Sequence, residues 1–510
     1  MRKLTARELA QPLERGYGSP DIAFLLAATR WAKPKGALGF ALHGRIMFQP
    51  ESFELRRHLF RSMRVTGLMN FAALRHDPRV WPTNSAPFVL LVARNEASTT
   101  GDSFYFVSPK NEPRLSSIGQ FRIDAQAALP ISTESVQEDL FALKAVYKGG
   151  LLGAELLRRI QTMSVIPLGE QLKRHGLRFS SGFQLGQPVR RTRSAKHLLG
   201  LPIARPDMSF EVSGHGAEVF AHQEVQWPRA PGVFKGPLIL FRESPHSDRS
   251  QRGALFCESD TAYSESFLGL SVAGLPELRP VMNLLYVLSY SDLLLYFHLL
   301  TSPKFGVERD SILQSDLERF PLVDPERLTH EQRAAVDALA VRLRRRELCW
   351  DEVDRIVFDI YDLASWDRQL VQDTLQSELP FNASTEESNR PTTTQERAVF
   401  ADAFNSLVEP FIESEGQPTR ILSEDDYGSS GWRYVQIGRQ SGLDSTLLAM
   451  ASRESSQLTA VADTYWASRV TVHLPDGSAR VGYLDQRRYW TKTQARLLAL
   501  EWLQGDGSLE

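Results

Sequence analysis

Apolar and polar positions along this chain follow first a helical period and then a strand period, and the first hundred or so residues show both. Residues 21–32 are apolar on most faces, through Ile22, Phe24, Leu25, Leu26, Ala28 and Trp31, as a helix laid against a sheet must be. Lys33-Pro34-Lys35-Gly36 stops that helix, and the continuous apolar run 37–42 predicts a buried strand. Residues 53–63 predict a second helix, with Arg56, Arg57, Arg61 and Arg64 on its polar side. Strands are predicted at 65–74, 88–93 and 104–107, the first two joined by a loop holding Trp81-Pro82. Helices alternating with apolar strands point to part of an α/β sheet.

From about residue 166 the texture changes. Gly, Pro and Arg become frequent and the predicted strands shorten, the clearest being 237–241 and 253–257. A long apolar stretch, 281–300, predicts one buried core helix. Two amphipathic helices follow. Val336, Leu339, Ala340 and Leu343 form the stripe of the first, and Val353, Ile356, Val357, Ile360 and Tyr361 that of the second. Residues 384–395, rich in Ser, Thr, Glu and Asn around Pro391, read as a linker. Beyond it a small α+β module is expected, with a hairpin 469–474/479–484 turned by Pro475-Asp476-Gly477 and a last helix at about 491–503.

Composition limits the function classes. With 510 residues, 42% hydrophobic and 24% charged, the chain is of ordinary globular make-up and long enough for two to four domains. Two cysteines, Cys257 and Cys349, make neither a disulfide framework nor a four-ligand zinc site by themselves. Residues 1–10 carry Arg2, Lys3, Arg7 and Glu8 without an apolar run behind them, so no secretory signal is expected. The stretch 281–300 has membrane-spanning length but holds Asn283, Ser289, Ser291, Asp292 and His298, which favours a protein core over a bilayer. No membrane association is expected, and the cytoplasm is the expected location.

Net charge is −2, so any attraction to nucleic acid must be local. One segment provides it. Residues 171–206 hold eight cations, Lys173, Arg174, Arg178, Arg190, Arg191, Arg193, Lys196 and Arg205, and no Asp or Glu. Phosphate neutralisation needs such a concentration, although a solvated loop face would also account for it. Gly182 and Gly186 flank Phe183-Gln184, which predicts a flexible loop able to approach a duplex, with Gln184 as a reader of base edges. Other templates fail. There is no phosphate-binding Gly-x-x-x-x-Gly-Lys-Ser/Thr loop, no dinucleotide fingerprint around Gly36, Gly39 and Gly44, and no His-Glu-x-x-His pair. His43, at a strand end, reads as structural, Asp359 and Asp362 as solvated, and Glu424, Asp425 and Asp426 as a surface run.

Several segments together resemble the C-terminal part of N6-adenine DNA methyltransferases of the type I and type IIG restriction–modification kind. Residues 18–42 (GSPDIAFLLAATRWAKPKGALGFAL) resemble the helix and strand that follow the catalytic motif. Pro34-Lys35-Gly36 fills the family's turn, with Lys35 where glycine is usual. Residues 56–64 with 65–71 are similar to the next helix and strand, and 85–92 to the final hairpin strand. Ile166-Pro167-Leu168-Gly169 followed by 181–186 resembles the opening of the target-recognition domain. The stretch 284–297 (LLYVLSYSDLLLYF) resembles one of its helices, and Arg319-Phe320-Pro321-Leu322 its closing phrase. Residues 353–363 (VDRIVFDIYDL) resemble a helix that ends in Tyr-Gly-Leu, with Asp362 in place of Gly. The resemblance covers about residues 17–380.

It implies a partial methyltransferase-like sheet over 1–130, a connecting segment 131–165, an α+β target-recognition domain 166–325, helices over 326–383, the linker 384–396 and the module 397–510. It also implies double-stranded DNA as partner. Two family features are missing from the sequence, the glycine-rich S-adenosylmethionine loop and the Asn-Pro-Pro-aromatic motif that holds the flipped adenine. Asn84-Ser85, Asn111-Glu112-Pro113 and Asn389-Arg390-Pro391 are not that motif. No catalytic, cofactor-binding or metal-binding residue is therefore expected here. The expectation is a specificity chain whose catalytic partner completes the sheet and carries S-adenosylmethionine. The alternative is a non-catalytic nucleic-acid-binding defence factor derived from such an enzyme.

Overall fold

The structure is a computed structural model, and it describes residues 20–77, 86–124, 127–163, 165–186, 191–212, 218–412, 419–423, 431–439, 445–464, 466–473 and 478–504. The chain forms two compact units, Met1–Tyr147 with Asp373–Glu510, and Lys148–Gln372. Both mix sheets and helices.

The first unit opens with helix Pro20–Trp31 and a five-stranded mixed sheet. Its strands are β1 (Ala37–His43), β2 (Arg64–Asn70), β3 (Phe88–Arg94), β4 (Ser103–Val107) and β5 (Leu129–Ser132), in the order β1-β3-β2-β4-β5. β3 lies antiparallel between β1 and β2, and β2 and β4 run parallel. One face carries Val65, Leu68, Val89, Leu91, Phe104 and Phe106, all buried, and Phe60 of helix Phe53–Ser62 sets its ring 5.3 Å from Phe104. On the other face the register aligns Gly39 with Val92 and Gly67 with Tyr105, and Val92 and Tyr105 are 50% and 65% exposed.

Three expectations need correcting here. The run 37–42 is a strand, but it is only partly buried, because β1 is an edge strand paired on one side among the described residues. β5 extends the sheet past residue 130 into the segment read as a connector. Arg56 leaves the polar side of its helix and is buried, where it donates to the carbonyls of Ile46, Met47 and Leu140. Burial lowers its pKa to about 10, against the opposing pull of the Asp139 carboxylate. The loop residues Trp81 and Pro82 lie outside the described residues.

The C-terminal module is a four-stranded antiparallel sheet in the order Thr419–Ser423, Trp432–Arg439, Ala479–Leu484, Arg469–His473. The expected hairpin is present, from Arg469↔Tyr483 to His473↔Ala479, and its turn lies outside the described residues. Helices Thr394–Ile412 and Lys492–Gln504 cover one face, packing Phe400, Phe404 and Leu498 on Val481 of the sheet. On the other face Trp432, Tyr434 and Val470 pack with Ala462 of helix Ser445–Thr464. The segment 384–396 is not an extended linker. It forms helix Asn382–Asn389 and the start of the next, and Arg390 joins them by pairing with Glu387 and Glu396. Arg390, assisted by Arg487, holds the Glu396 carboxyl down at about 2. Nor does the module stand apart. Arg122 pairs with Glu112 at 2.9 Å and donates to the carbonyl of Ala467, while Asp124 accepts from the backbone and hydroxyl of Ser468.

In the second unit, Val165–Pro167 pairs antiparallel with Pro321–Val323, so the two ends of the segment 165–323 meet. Between them lies a four-stranded antiparallel sheet in the order Leu255–Cys257, Leu238–Arg242, Phe267–Ser271, Ser180–Ser181. Cys257 is buried in this sheet, which pushes its thiol up to about 12. The stretch 281–300 is two buried helices, Arg279–Ser289 and Asp292–Thr301, meeting at 75°. Its polar residues explain the break. Ser291 caps the second helix on the amide of Leu294, and Asp292 takes an ion pair from Arg252. Among the described residues no single helix is long and apolar enough to cross a membrane, and only this bent pair passes by length and composition. Helices His330–Arg344 and Trp350–Ile360 bury the two stripes read from the sequence.

Lys35 and Asp362, the two positions where glycine is usual in the resembling family, both adopt left-handed backbone, with φ of 60° and 45°. At Asp362 the geometry is a Schellman cap, with Leu363 N–H on the Phe358 carbonyl and Asp362 N–H on that of Asp359. The side chain is solvent-exposed, as read from the sequence, and the neighbouring Asp359 pairs with Arg368.

Two stability measurements check this packing. Arg56→Leu leaves three buried carbonyls without a donor and lowers unfolding free energy by about 3 kcal/mol in denaturant titration. Asp362→Gly relieves left-handed strain and raises it by about 1 kcal/mol.

Candidate nucleic-acid interface

The segment around Gln184 is seated between two others by backbone hydrogen bonds. On one side Phe183 N–H donates to Tyr263 O at 2.9 Å, and Glu265 N–H returns to Phe183 O at 2.9 Å. On the other, Gln184 and Trp227 exchange bonds of 3.0 and 3.1 Å, and Gln226 N–H reaches Leu185 O. A fourth segment joins the far side, where Arg193–Ser194 pairs antiparallel with Glu224–Val225. Phe183, Val225, Phe220 and Tyr263 form the core beneath.

Gly182 and Gly186 make this seating possible, for a reason other than the expected flexibility. A Cβ on Gly182 would stand 2.0 Å from the Tyr263 carbonyl oxygen. One on Gly186, whose φ is +89°, would stand 2.5 Å from the Cβ of Gln226. The glycines permit close contact, and the loop is fixed.

On this floor stands Trp227, 42% exposed. The guanidinium of Arg193 lies 4.7 Å from the centroid of its ring and that of Arg229 6.0 Å away. Arg229 is further held by a 3.0 Å bond from Nε to the Gly182 carbonyl. Beside this group is a cleft of about 410 Å³ lined by 183–186, Gln226 and 264–266.

The structure thus brings two of the sequence-read residues, Gln184 and Arg193, to one patch. Lys173, Arg174, Arg178, Arg191 and Lys196 are all exposed, and among the described residues none has a carboxylate partner. Lys173 and Arg174 sit in the last turn of helix Leu168–Arg174, where the helix dipole favours cations. Arg205 is different, since Asp207 and Glu218, just beyond the acid-free stretch, pair with it at 3.2 and 3.4 Å and offset its charge. Arg190 lies outside the described residues, as do Glu424, Asp425 and Asp426. His43 accepts from the amide of Arg45, a turn contact. Trp227, Arg229 and Gln226 were missed by the sequence reading. The signal was the phrase Gln226-Trp227-Pro228-Arg229, an aromatic set among a cation and an amide. Among the described residues no cluster of three or more His, Cys, Asp or Glu could hold a metal ion.

No protein-family profile matches the chain, and no curated protein matches it. Among the solved structures similar to it are two at low identity. One is the type IIG restriction endonuclease BpuSI, at 10% identity and a TM-score of 0.31, covering 74% of this chain and 52% of that one. The other is the type IIL restriction–modification enzyme MmeI in complex with DNA, at 11% and 0.37, covering 72% and 55%. The chain spans about half the length of each.

The seating is tested by Gly182→Ala, which forces the 183–186 segment off the 263–265 segment. Unfolding free energy is expected to fall by at least about 2 kcal/mol, with loss of the Trp227 fluorescence environment. Gly176→Ala, at an open turn with φ of +69°, is the control and costs about 1 kcal/mol.

Proposed function

We propose that this chain is the DNA-binding, specificity-giving part of a split site-specific N6-adenine DNA methyltransferase of a restriction–modification or phage-defence system. The unit Lys148–Gln372 contacts the duplex, and a partner chain supplies S-adenosylmethionine and the catalytic motif. The observation that carries the DNA contact is the fixed patch where Arg193 and Arg229 are held on the exposed Trp227 beside Gln184. A guanidinium held on an indole has lost little freedom left to lose on meeting a phosphate, and its N–H donors stay available. The cations Lys173, Arg174, Arg178, Arg191 and Lys196, without a carboxylate partner among the described residues, add the charge that phosphate binding requires.

The partner reading is supported by the first sheet. β1 is paired on one side only among the described residues, and the face bearing Val92 and Tyr105 is apolar and open. An open edge beside an apolar face is an association surface. The placement of β3, read as the final hairpin strand, between β1 and β2 leaves β1 as the edge at which the catalytic half of a methyltransferase sheet would join.

The test is salt-dependent binding of a duplex followed by fluorescence anisotropy. Each phosphate contact contributes a slope of about −0.9 in log K against log salt. Replacing Arg191, Arg193 and Lys196 by Ala is expected to reduce the magnitude of the slope by about 2.7 and to weaken binding at low salt. An unchanged slope and affinity in the folded variant overturns the DNA-binding reading. For the split reading, this chain alone transfers no methyl group from S-adenosylmethionine to adenine. Addition of a chain carrying the glycine-rich loop and the Asn-Pro-Pro-aromatic motif restores transfer.

A further inference from the structure

We infer that the cleft beside Trp227 reads base edges in the duplex, with Gln184, Gln226 and Glu265 as the residues that set sequence preference. This rests on the DNA-binding reading above and specifies which atoms discriminate. The cleft holds about 410 Å³, enough for the edge of a base pair, and it is bounded by backbone that cannot shift without breaking the bonds from Phe183, Gln184, Gln226 and Glu265. Its polar side chains contrast with that backbone. Among the described residues, the amides of Gln184 and Gln226 and the carboxylate of Glu265 have no hydrogen-bond partner, while the main chain is bonded through both N–H and C=O at Gln184 and through N–H at Gln226 and Glu265. Side chains free of intramolecular partners on a hydrogen-bonded backbone are available to the edge of a base, and the position of each Cα has been set in folding.

The residue types then decide what is read. A glutamine amide donates and accepts in the pattern that matches the N7 and N6 of adenine. A carboxylate accepts only, and the cytosine amino group is the major-groove donor it fits. Near phosphates an unpaired carboxylate repels unless such a donor faces it, so Glu265 discriminates against pairs that present acceptors there. Leu185, 53% exposed on the same wall, offers apolar contact to a thymine methyl. The cleft therefore fits an adenine–thymine pair beside a cytosine–guanine pair. Arg193 and Arg229, held on Trp227, serve as the adjoining phosphate anchors.

The experiment selects bound duplexes from a randomised pool with the full chain, then measures affinity for the selected and for random duplexes. Gln226→Ala and Gln184→Ala are expected to lose at least about tenfold on the selected duplex and to relax preference for adenine. Glu265→Gln is expected to exchange a cytosine for an adenine in the selected sequence. The two glutamine variants keep the wild-type salt slope, while Glu265→Gln removes a repelling charge and raises affinity for random duplex. Variants that select the wild-type sequence at wild-type affinity overturn the cleft assignment while salt-dependent binding stands. A wild-type chain that binds no duplex overturns the assignment together with the reading beneath it.

Discussion

The candidate interface depends on one steric condition, the absence of side chains at Gly182 and Gly186. With 2.0 Å between a Cβ on Gly182 and the Tyr263 carbonyl oxygen, only glycine lets the 183–186 segment lie on the strand beside it. Once seated, that segment and the 224–227 segment share backbone bonds, and Arg193 is carried in on the next pairing. Gln184, Trp227 and Arg193 are thus neighbours because the main chain has no other way to satisfy its polar groups. The chemistry follows from backbone seating.

Charge in this region is arranged by what is left unpaired. Arg205 belongs to the same basic stretch as Arg191 and Lys196, yet Asp207 and Glu218 face it, while the other two face no acid among the described residues. A count of cations along the sequence treats the three alike. Exposed ion pairs are weak in stability terms, but they offset field locally, and field is what a polyanion senses. Aromatic stacking acts differently. Trp227 does not offset the charge of Arg193 but restrains the planar group that carries it.

The first unit shows the same distinction between local and distant causes. Four of the five strands of its mixed sheet, all but β5, are visible as apolar runs, yet the half-exposed state of β1 follows from strand order. The C-terminal module joins the N-terminal sheet through Arg122 and the carbonyl of Ala467, 345 residues away, and through Asp124 and Ser468. Arg56, three carbonyls around it, is buried for the same kind of reason. A buried guanidinium is stable only where acceptors converge, and no sequence pattern announces convergence.

By itself the sequence determined the elements with strong period, such as the stripes of helices His330–Arg344 and Trp350–Ile360 and the hairpin Arg469–His473/Ala479–Leu484. It also determined where cations concentrate, and its resemblance pointed to two glycine positions whose backbone proved left-handed at Lys35 and Asp362. These are local properties, set within a few residues by side-chain spacing and backbone sterics. Only the tertiary structure decided that 281–300 bends into two helices, that 384–396 is helical and pinned by Arg390, and that Gln184 meets Trp227. Each of those depends on a partner far along the chain, Arg252 for Asp292, Arg487 for Glu396, Tyr263 for Gly182, and a pairwise contact is invisible until folding brings both members together.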